Sequence, residues 1–212
     1  RLLREKNSHA LLHCDAVQGF LKVPCDPVGW GVDLMSLSAH KIGGPKGAGA
    51  LYTAPALRNL RPLLPGGGQE GGLRSGTEAT AQIAGFARAV ALRQENLRHM
   101  ADIKAYCREK LLSIPGVVPV GQGEAPHILA VSLVGYPSAN IVTDLGAKGI
   151  CISAGSACHR GKASHVVSAL HLDKRTAAGV IRVSFGPETT RADIDGLYQA
   201  LLDHKNQRFP ML

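Results

Sequence analysis

The sequence is poor in aromatic residues, in long apolar runs and in paired cysteines. Aromatic side chains make up 4% of the 212 residues, and the Lys and Arg residues behind the net charge of +8 are dispersed along the chain. Nucleic-acid surfaces typically combine clustered basic residues with stacking aromatics, so we expect no direct nucleic-acid binding. An anionic cofactor or acidic partners explain the positive charge equally well.

Two further absences narrow the class of protein. No apolar run approaches the roughly 18 residues of a transmembrane helix, and the first residues do not form a basic segment followed by an apolar one. We therefore expect a cytoplasmic protein without membrane contact. The five cysteines are odd in number and include no C-x-x-C pair. This pattern argues against a disulfide framework and a zinc site, and we predict no metal.

What the chain does contain is enough apolar sequence, 45% of its residues, to bury a substantial core. Alternation of the two element types favours an α/β unit in the first half, with strands predicted at 10–15, 33–38 and 47–52. A glycine-rich loop follows at 62–76, then a long helix at 78–112 that Pro115-Gly116 ends. Beyond it the pattern favours strands at 128–134, 150–153 and 180–184 and helices at 138–148, 164–172 and 191–206. We predict two domains, 1–97 and 98–212, with the active site in their cleft.

The most informative segment is SAHKIGGPKG at 38–47, in which a buried strand ends at His-Lys and opens into a glycine-rich turn. Ligands of open α/β sheets bind outside the carboxyl ends of the strands, where this pattern puts Ser38, His40 and Lys41. A partly desolvated lysine at such a place can act as an amine nucleophile and form an imine. The alternative is an ordinary solvated lysine beside a turn.

Asp15 ends the first predicted strand, and Gln18 follows it closely. Both side chains can face the same crevice as Lys41. A pyridine-type cofactor linked to a lysine needs a carboxylate at its ring nitrogen, and Asp15 suits that role. The alternative for Asp15 is a helix cap or a turn former.

Two residues of the second half have the chemistry of a reacting or binding group. Cys158 lies in the small-residue segment 153–161 next to His159 and Arg160, whose charges favour a thiolate. Cys14 and Cys151 fit inert buried positions on apolar strands better. Arg182, in the strand at 180–184, can hold a substrate carboxylate by two hydrogen bonds, or can reach solvent from one face of its strand.

Taken together, these segments resemble the ordered motifs of cysteine desulfurases, which are pyridoxal-phosphate enzymes of the class V aminotransferase family. The resemblance runs from Ala10 to about Asp195 and rests on DAVQ at 15–18, SAHKIGGPKG at 38–47, GGGQE at 66–70, RSGT at 74–77 and GSAC at 155–158. It implies an α/β architecture, the type I fold of pyridoxal-phosphate-dependent transferases. In this fold residues 1–97 correspond to the C-terminal part of the large domain, with a mainly parallel sheet, and 98–212 to a smaller α+β domain. The resemblance covers the C-terminal portion of the family and lacks its N-terminal half.

Carried over residue by residue, the resemblance implies a complete set of roles. Lys41 is similar to the lysine that binds pyridoxal 5′-phosphate as an imine, Asp15 to the partner of the ring nitrogen and Gln18 to the donor to the phenolic oxygen. Ser38 and His40 are similar to phosphate ligands. Thr77 resembles the residue that reaches the phosphate of a neighbouring subunit, which implies a homodimer.

The resemblance also implies the reaction. Arg182 is similar to the residue that binds the substrate carboxylate, and Cys158 to the loop cysteine that takes sulfur from L-cysteine as a persulfide and leaves L-alanine. The GSAC form resembles the enzymes that supply iron–sulfur cluster assembly and tRNA thiolation, so we expect sulfur-acceptor or scaffold proteins as partners. The alternatives are a class V aminotransferase, a selenocysteine lyase, or a non-catalytic fragment that keeps only interaction surfaces.

Overall fold

The chain divides into two units, Arg1–Glu95 and Asn96–Leu212, which are described separately. The structure is a computed structural model, and it describes residues 2–6, 9–57, 60–93, 96–154 and 165–211. In this part of the chain, no helix combines the length and the apolar character that crossing a membrane requires.

The first unit is built on a three-stranded sheet in the order β1-β2-β3. Its strands are β1 at His13–Asp15, β2 at Leu34–Ser38 and β3 at Gly49–Thr53. β1 and β2 are parallel, with Asp15 opposite Ser36, whereas β2 and β3 are antiparallel. The carboxyl ends of β1 and β2 therefore lie at the same edge of the sheet.

The two faces of this sheet differ in chemistry, because side chains alternate along each strand and paired residues share a face. One face packs into a small apolar core with Ala16 and Val32; its strand residues are Cys14, Met35, Leu37 and Tyr52. The other face, which we call the polar face, carries His13, Asp15, Ser36 and Ser38 together with Leu34 and Leu51. The polar face thus collects several of the side chains that the sequence marked as functional.

The described part of the first unit also contains helical segments. They are α1 at Leu2–Glu5, a 3₁₀ helix at Ala39–Ile42, a second 3₁₀ helix at Gln69–Gly72 and α2 at Thr80–Arg93. α2 packs on the first 3₁₀ helix. It also comes close to the turn that follows, since a Cβ at Gly85 would stand 3.1 Å from Cγ of Pro45.

The second unit is a two-layer α+β structure. Its antiparallel strands are β4 at Val117–Pro119, β5 at Ile128–Leu133 and β6 at Val180–Ser184. Its helices are α3 at Leu97–Leu112, α4 at Ser138–Ala147, α5 at His165–Ala169, α6 at Lys174–Ala178 and α7 at Arg191–Gln207. Helices and strands share one apolar core, whose fully buried members include Met100, Leu111, Leu133, Ile141, Leu145, Ile181 and Leu201.

The structure corrects the predicted single helix at 78–112. Two helices, α2 and α3, occupy this range, and Asn96 stands at the cap position that precedes α3. Polar residues at 93–96 interrupt the apolar periodicity of the sequence, which is typical of a helix boundary. The sequence therefore contained the signal for the break.

The predicted strand at 150–153 is wrong. Among the described residues, only Ser153 of this segment pairs, in a bridge in which Arg182 N donates to Ser153 O at 2.7 Å and Ser153 N donates to Arg182 O at 3.2 Å. The predicted helix at 164–172 is shorter, because His171 has a left-handed φ of 50° beyond the end of α5. β4 and α6 were not predicted; Asp173 caps α6 by accepting from two backbone N–H groups.

Candidate active site

Lys41 lies just beyond the carboxyl end of β2, on the 3₁₀ helix at Ala39–Ile42. The flanking Ala39 and Ile42 are buried, which anchors the short helix in the first unit. Gly43 ends it with φ of 87°, a conformation that favours glycine. The Lys41 side chain is half-buried, and its amine makes no hydrogen bond or ion pair within the described residues. The amine therefore lies at this edge of the sheet without a partner among the described residues.

Asp15 ends β1 at the same edge, because β1 and β2 are parallel and Asp15 is paired with Ser36. Its carboxylate is exposed, and Oδ1 accepts a hydrogen bond from Val17 N at 3.0 Å. Such a bond to the second following residue is an Asx turn, so the turn-forming interpretation of Asp15 holds. It occupies only one of the two carboxylate oxygens, and a ligand can use the other.

The remaining polar side chains of this edge form two close pairs. Ser38 Oγ lies 2.8 Å from Nδ1 of His40, so these two predicted phosphate ligands are neighbours. His13 Nε2 lies 2.7 Å from Ser36 Oγ. The His13–Ser36 pair was not predicted, although the alternation along both strands would have put these residues on the face of Asp15 and Ser38.

Gln18 is held by a lysine that the sequence analysis did not single out. Nζ of Lys22 donates to Oε1 of Gln18 at 3.3 Å, and Lys22 is only 5% exposed. Burial, followed by the positive charges of Arg93 and Lys41, lowers the pKa of Lys22 to about 8. The i, i+4 spacing of Gln18 and Lys22 was the available sequence signal.

Thr77 is not brought to this group of side chains by any contact within the described residues. It is exposed and follows a loop that is closed by Ser75 N donating to Leu64 O at 3.0 Å and Gly76 N donating to Gln69 Oε1 at 3.4 Å. Glu70, Gly71 and Gly72 have consecutive left-handed φ angles in this loop.

Arg182 lies in the middle of β6 in the second unit. Its Nε is buried and has no hydrogen-bond partner in the described ranges. A buried donor without a partner is costly, and a bound carboxylate would satisfy it. This environment supports the predicted carboxylate-binding role better than the solvent-facing alternative.

Cys158, the predicted sulfur acceptor, lies outside the described residues. Burial raises the pKa of the Cys107 thiol to about 12, which makes it unreactive. The pKa of Cys25 is raised by burial and then by the nearby Cys14. The expectation of a buried strand position is wrong for Cys151, which is exposed and not on a strand; Cys14 is half-buried on β1.

Comparison with known proteins identifies the family. The model of the aminotransferase class-V family matches residues 2–197, and the chain belongs to this family. It is 39% identical over 201 residues to the mitochondrial cysteine desulfurase of Arabidopsis thaliana, covering 90% of this chain and 44% of the relative. It is 36% identical over 221 residues to the cysteine desulfurase IscS of Clostridium botulinum, covering 99% of this chain and 55% of the relative.

A solved structure confirms the fold class. The X-ray structure of a NifS-like protein from Rickettsia africae ESF-5 matches with a TM-score of 0.83 at 28% identity, covering 97% of this chain and 56% of that one. The fold is thus part of the α/β, type I fold of pyridoxal-phosphate-dependent transferases, as the motifs predicted. The chain spans about half the length of the curated relatives it matches.

Proposed function

We propose that this chain carries the cofactor-binding and sulfur-transferring residues of a cysteine desulfurase, which converts L-cysteine to L-alanine and an enzyme persulfide. The observation that carries the proposal is the parallel pairing of β1 and β2. It supports a common site for the carboxylate of Asp15 and the amine of Lys41, because the carboxyl ends of parallel neighbours meet at one edge.

The side chains of this edge fit pyridoxal 5′-phosphate. The cofactor supplies an electron-withdrawing ring that stabilises negative charge on a bound amino acid. Lys41 would bind its aldehyde carbon, Asp15 would accept from its ring N–H, and Gln18 would donate to its phenolic oxygen. The free amine of Lys41 and the free amide N–H of Gln18, within the described residues, are the observations that support this fit.

The phosphate would be held by hydroxyl and imidazole groups. The Ser38–His40 pair already has its polar atoms 2.8 Å apart, so both can turn toward one anion. Thr77 would contribute from a second copy of the chain in a homodimer. Its exposed position in the first unit supports a contact outside its own protomer.

Three residues would bind and change the substrate. Arg182 would hold the carboxylate of L-cysteine, and Lys41, as a free amine, would take and return the proton at the substrate Cα. The Cys158 thiolate would attack the substrate sulfur, so that an S–S bond forms while the C–S bond breaks. The electron pair of that bond stays on the substrate carbon, which takes a proton and leaves as L-alanine.

The wider role follows from the relatives. The name cysteine desulfurase supports removal of sulfur from cysteine. Delivery of this sulfur to acceptor or scaffold proteins, in iron–sulfur cluster assembly or thiolation, is proposed from the GSAC segment at 155–158. We propose a cytoplasmic location for this chain, although one of the relatives named above is mitochondrial. No nucleic acid and no metal are needed for the proposed chemistry.

Cofactor binding can be tested directly on the 212-residue chain. We expect pyridoxal 5′-phosphate to give a visible absorbance band, and reduction with borohydride to fix the cofactor on the peptide that contains Lys41. Lys41→Ala should abolish both signals, and Lys46→Ala, at an exposed lysine of the same turn, should leave both unchanged. Labelling spread over exposed lysines, with no dependence on Lys41, would overturn the proposed site.

Sulfur transfer needs a second test. With L-cysteine, the loaded chain should release L-alanine, and Cys158→Ser should stop this release while Cys151→Ser, at an exposed cysteine of the described residues, should not. Alanine release that survives Cys158→Ser would count against the cysteine desulfurase assignment. Cofactor attachment without any turnover would favour the non-catalytic alternative.

A further inference from the structure

A buried lysine next to the candidate site has no role in the proposed chemistry. Lys22 lies at the end of a run of turns in which Phe20 N donates to Ala16 O and Lys22 N donates to Gly19 O, at 2.8 and 2.9 Å. These turns direct the Lys22 side chain into the first unit, where it is 5% exposed. A lysine ammonium is rarely buried to this extent without a partner or a function.

The contact of Lys22 with Gln18 has a defined direction. An ammonium has three donors and no acceptor, so only the amide oxygen of Gln18 can face it. The bond of 3.3 Å from Nζ to Oε1 therefore turns the Nε2–H group away from Lys22. Gln18 is exposed, and its N–H group has no acceptor in the part of the chain that the structure describes.

The charge around Lys22 argues against a purely structural purpose. The charges that act on its pKa most are those of Arg93, at the buried end of α2, and Lys41, and both are positive. Its hydrogen bond goes to a neutral amide, and no carboxylate is among the causes of the shift. An apolar side chain of similar length would fill this position without the desolvation cost.

We propose that Lys22 is a positioning residue for Gln18: its buried ammonium selects the amide orientation in which Nε2–H points outward, toward the phenolic oxygen of the bound cofactor. This inference rests on the proposed function, because it assumes that pyridoxal 5′-phosphate attaches to Lys41. It assigns to Lys22 an effect on cofactor binding that is exerted only through Gln18.

The test is a double-mutant cycle on the full chain, with the dissociation constant of pyridoxal 5′-phosphate and the wavelength of its visible band as readouts. Lys22→Met and Gln18→Ala should each weaken binding roughly tenfold, the size of one hydrogen bond, and shift the band in the same direction. The double variant should also lose roughly tenfold and not a hundredfold, because each change removes the same interaction. Lys46→Met serves as the control with unchanged binding.

A further variant separates the two halves of the argument. Gln18→Glu keeps an acceptor for Lys22 but has no N–H donor, so it should fold normally and bind the cofactor as weakly as Gln18→Ala. If Lys22→Met does not fold, Lys22→Gln replaces it in the cycle, because a neutral amide no longer fixes the orientation of Gln18.

The outcomes distinguish this proposal from the proposed function. Independent losses that multiply to about a hundredfold, or a Lys22 variant that binds the cofactor like the wild type, would overturn the role of Lys22 and leave the cofactor site at Lys41 intact. A wild-type chain without attachment at Lys41 would overturn both.

Discussion

Replacing Lys22 by methionine should make the first unit more stable while it weakens the site. Methionine matches the length of lysine without a charge, and the position is almost fully buried. Burial and two neighbouring cations lower the pKa of Lys22 from 10.5 to about 8. Each pKa unit corresponds to about 1.4 kcal/mol, so the buried ammonium costs roughly 3 kcal/mol at pH 7.

The hydrogen bond to Gln18 offsets part of this cost, by about 1 kcal/mol. Lys22→Met should therefore raise the free energy of unfolding by roughly 2 kcal/mol at pH 7. Between pH 8 and 10.5 the unfolded chain holds the lysine proton more tightly than the folded chain, so the stability of the wild type rises with pH in this window. By pH 10 only about 1 kcal/mol of the cost remains, and the two proteins should be nearly equal.

Urea unfolding followed by tryptophan fluorescence measures this difference selectively. The chain has one tryptophan, Trp30, and it belongs to the first unit. Lys46→Met, at an exposed lysine, should change stability by less than about 0.5 kcal/mol at either pH. Two results would refute the reasoning. The Lys22→Met protein could be less stable than the wild type at pH 7, or its gain in free energy of unfolding over the wild type could fail to decrease toward pH 10.

Three predictions concern the second unit, each measured by urea unfolding with far-UV circular dichroism. Gly179→Ala should lower the free energy of unfolding by roughly 3 kcal/mol or more, because the new Cβ would overlap the carbonyl oxygen at the end of β5. Gly196→Ala, in the open middle of α7, should instead raise the free energy of unfolding by about 0.5–1 kcal/mol. Asp144→Ala should lower the free energy of unfolding by about 2 kcal/mol, since it removes the carboxylate 2.9 Å from Nδ1 of the buried His204. An equal loss in Asp144→Asn would show that the charge of Asp144 matters more than its hydrogen bond. Thr190→Ala should lower the free energy of unfolding by about 1 kcal/mol, because it removes the capping box of α7. An unchanged urea midpoint would contradict the role of that cap.

The elements with strong local patterns were predictable from the sequence. β6 has the predicted bounds and β2 differs by one residue, because apolar side chains occupy three of the five positions in each strand. β4 was missed since three residues are too few for a period. The segment at 150–153 has the composition of a strand, but Ser153 finds a partner only in Arg182. Whether an apolar run becomes a strand depends on a neighbour elsewhere in the chain.

The candidate site was also predictable where it depends on local sequence patterns. Lys41 lies just past a strand end, as its local motif predicted, because a buried strand followed by a glycine turn is a short-range feature. The contact of Gln18 with Lys22 depends on the burial of Lys22, and the burial of a side chain depends on how distant segments of the chain pack. Sequence spacing alone allows this contact but does not require it.

The alternation of the first sheet has a consequence for which changes in chain length the protein tolerates. Leu12 and Asp33 set the register of β1 and β2, since Leu12 N donates to the Asp33 carboxylate at 2.7 Å and Asp33 N donates to Leu12 O at 2.9 Å. One residue inserted between Leu12 and Asp15 would turn Asp15 into the apolar core and bring Cys14 to the polar face. One residue inserted at 26–30, within the loop before β2, would leave both faces as they are. Deletions and insertions in relatives of this chain should therefore cluster in that loop and avoid the three residues of β1.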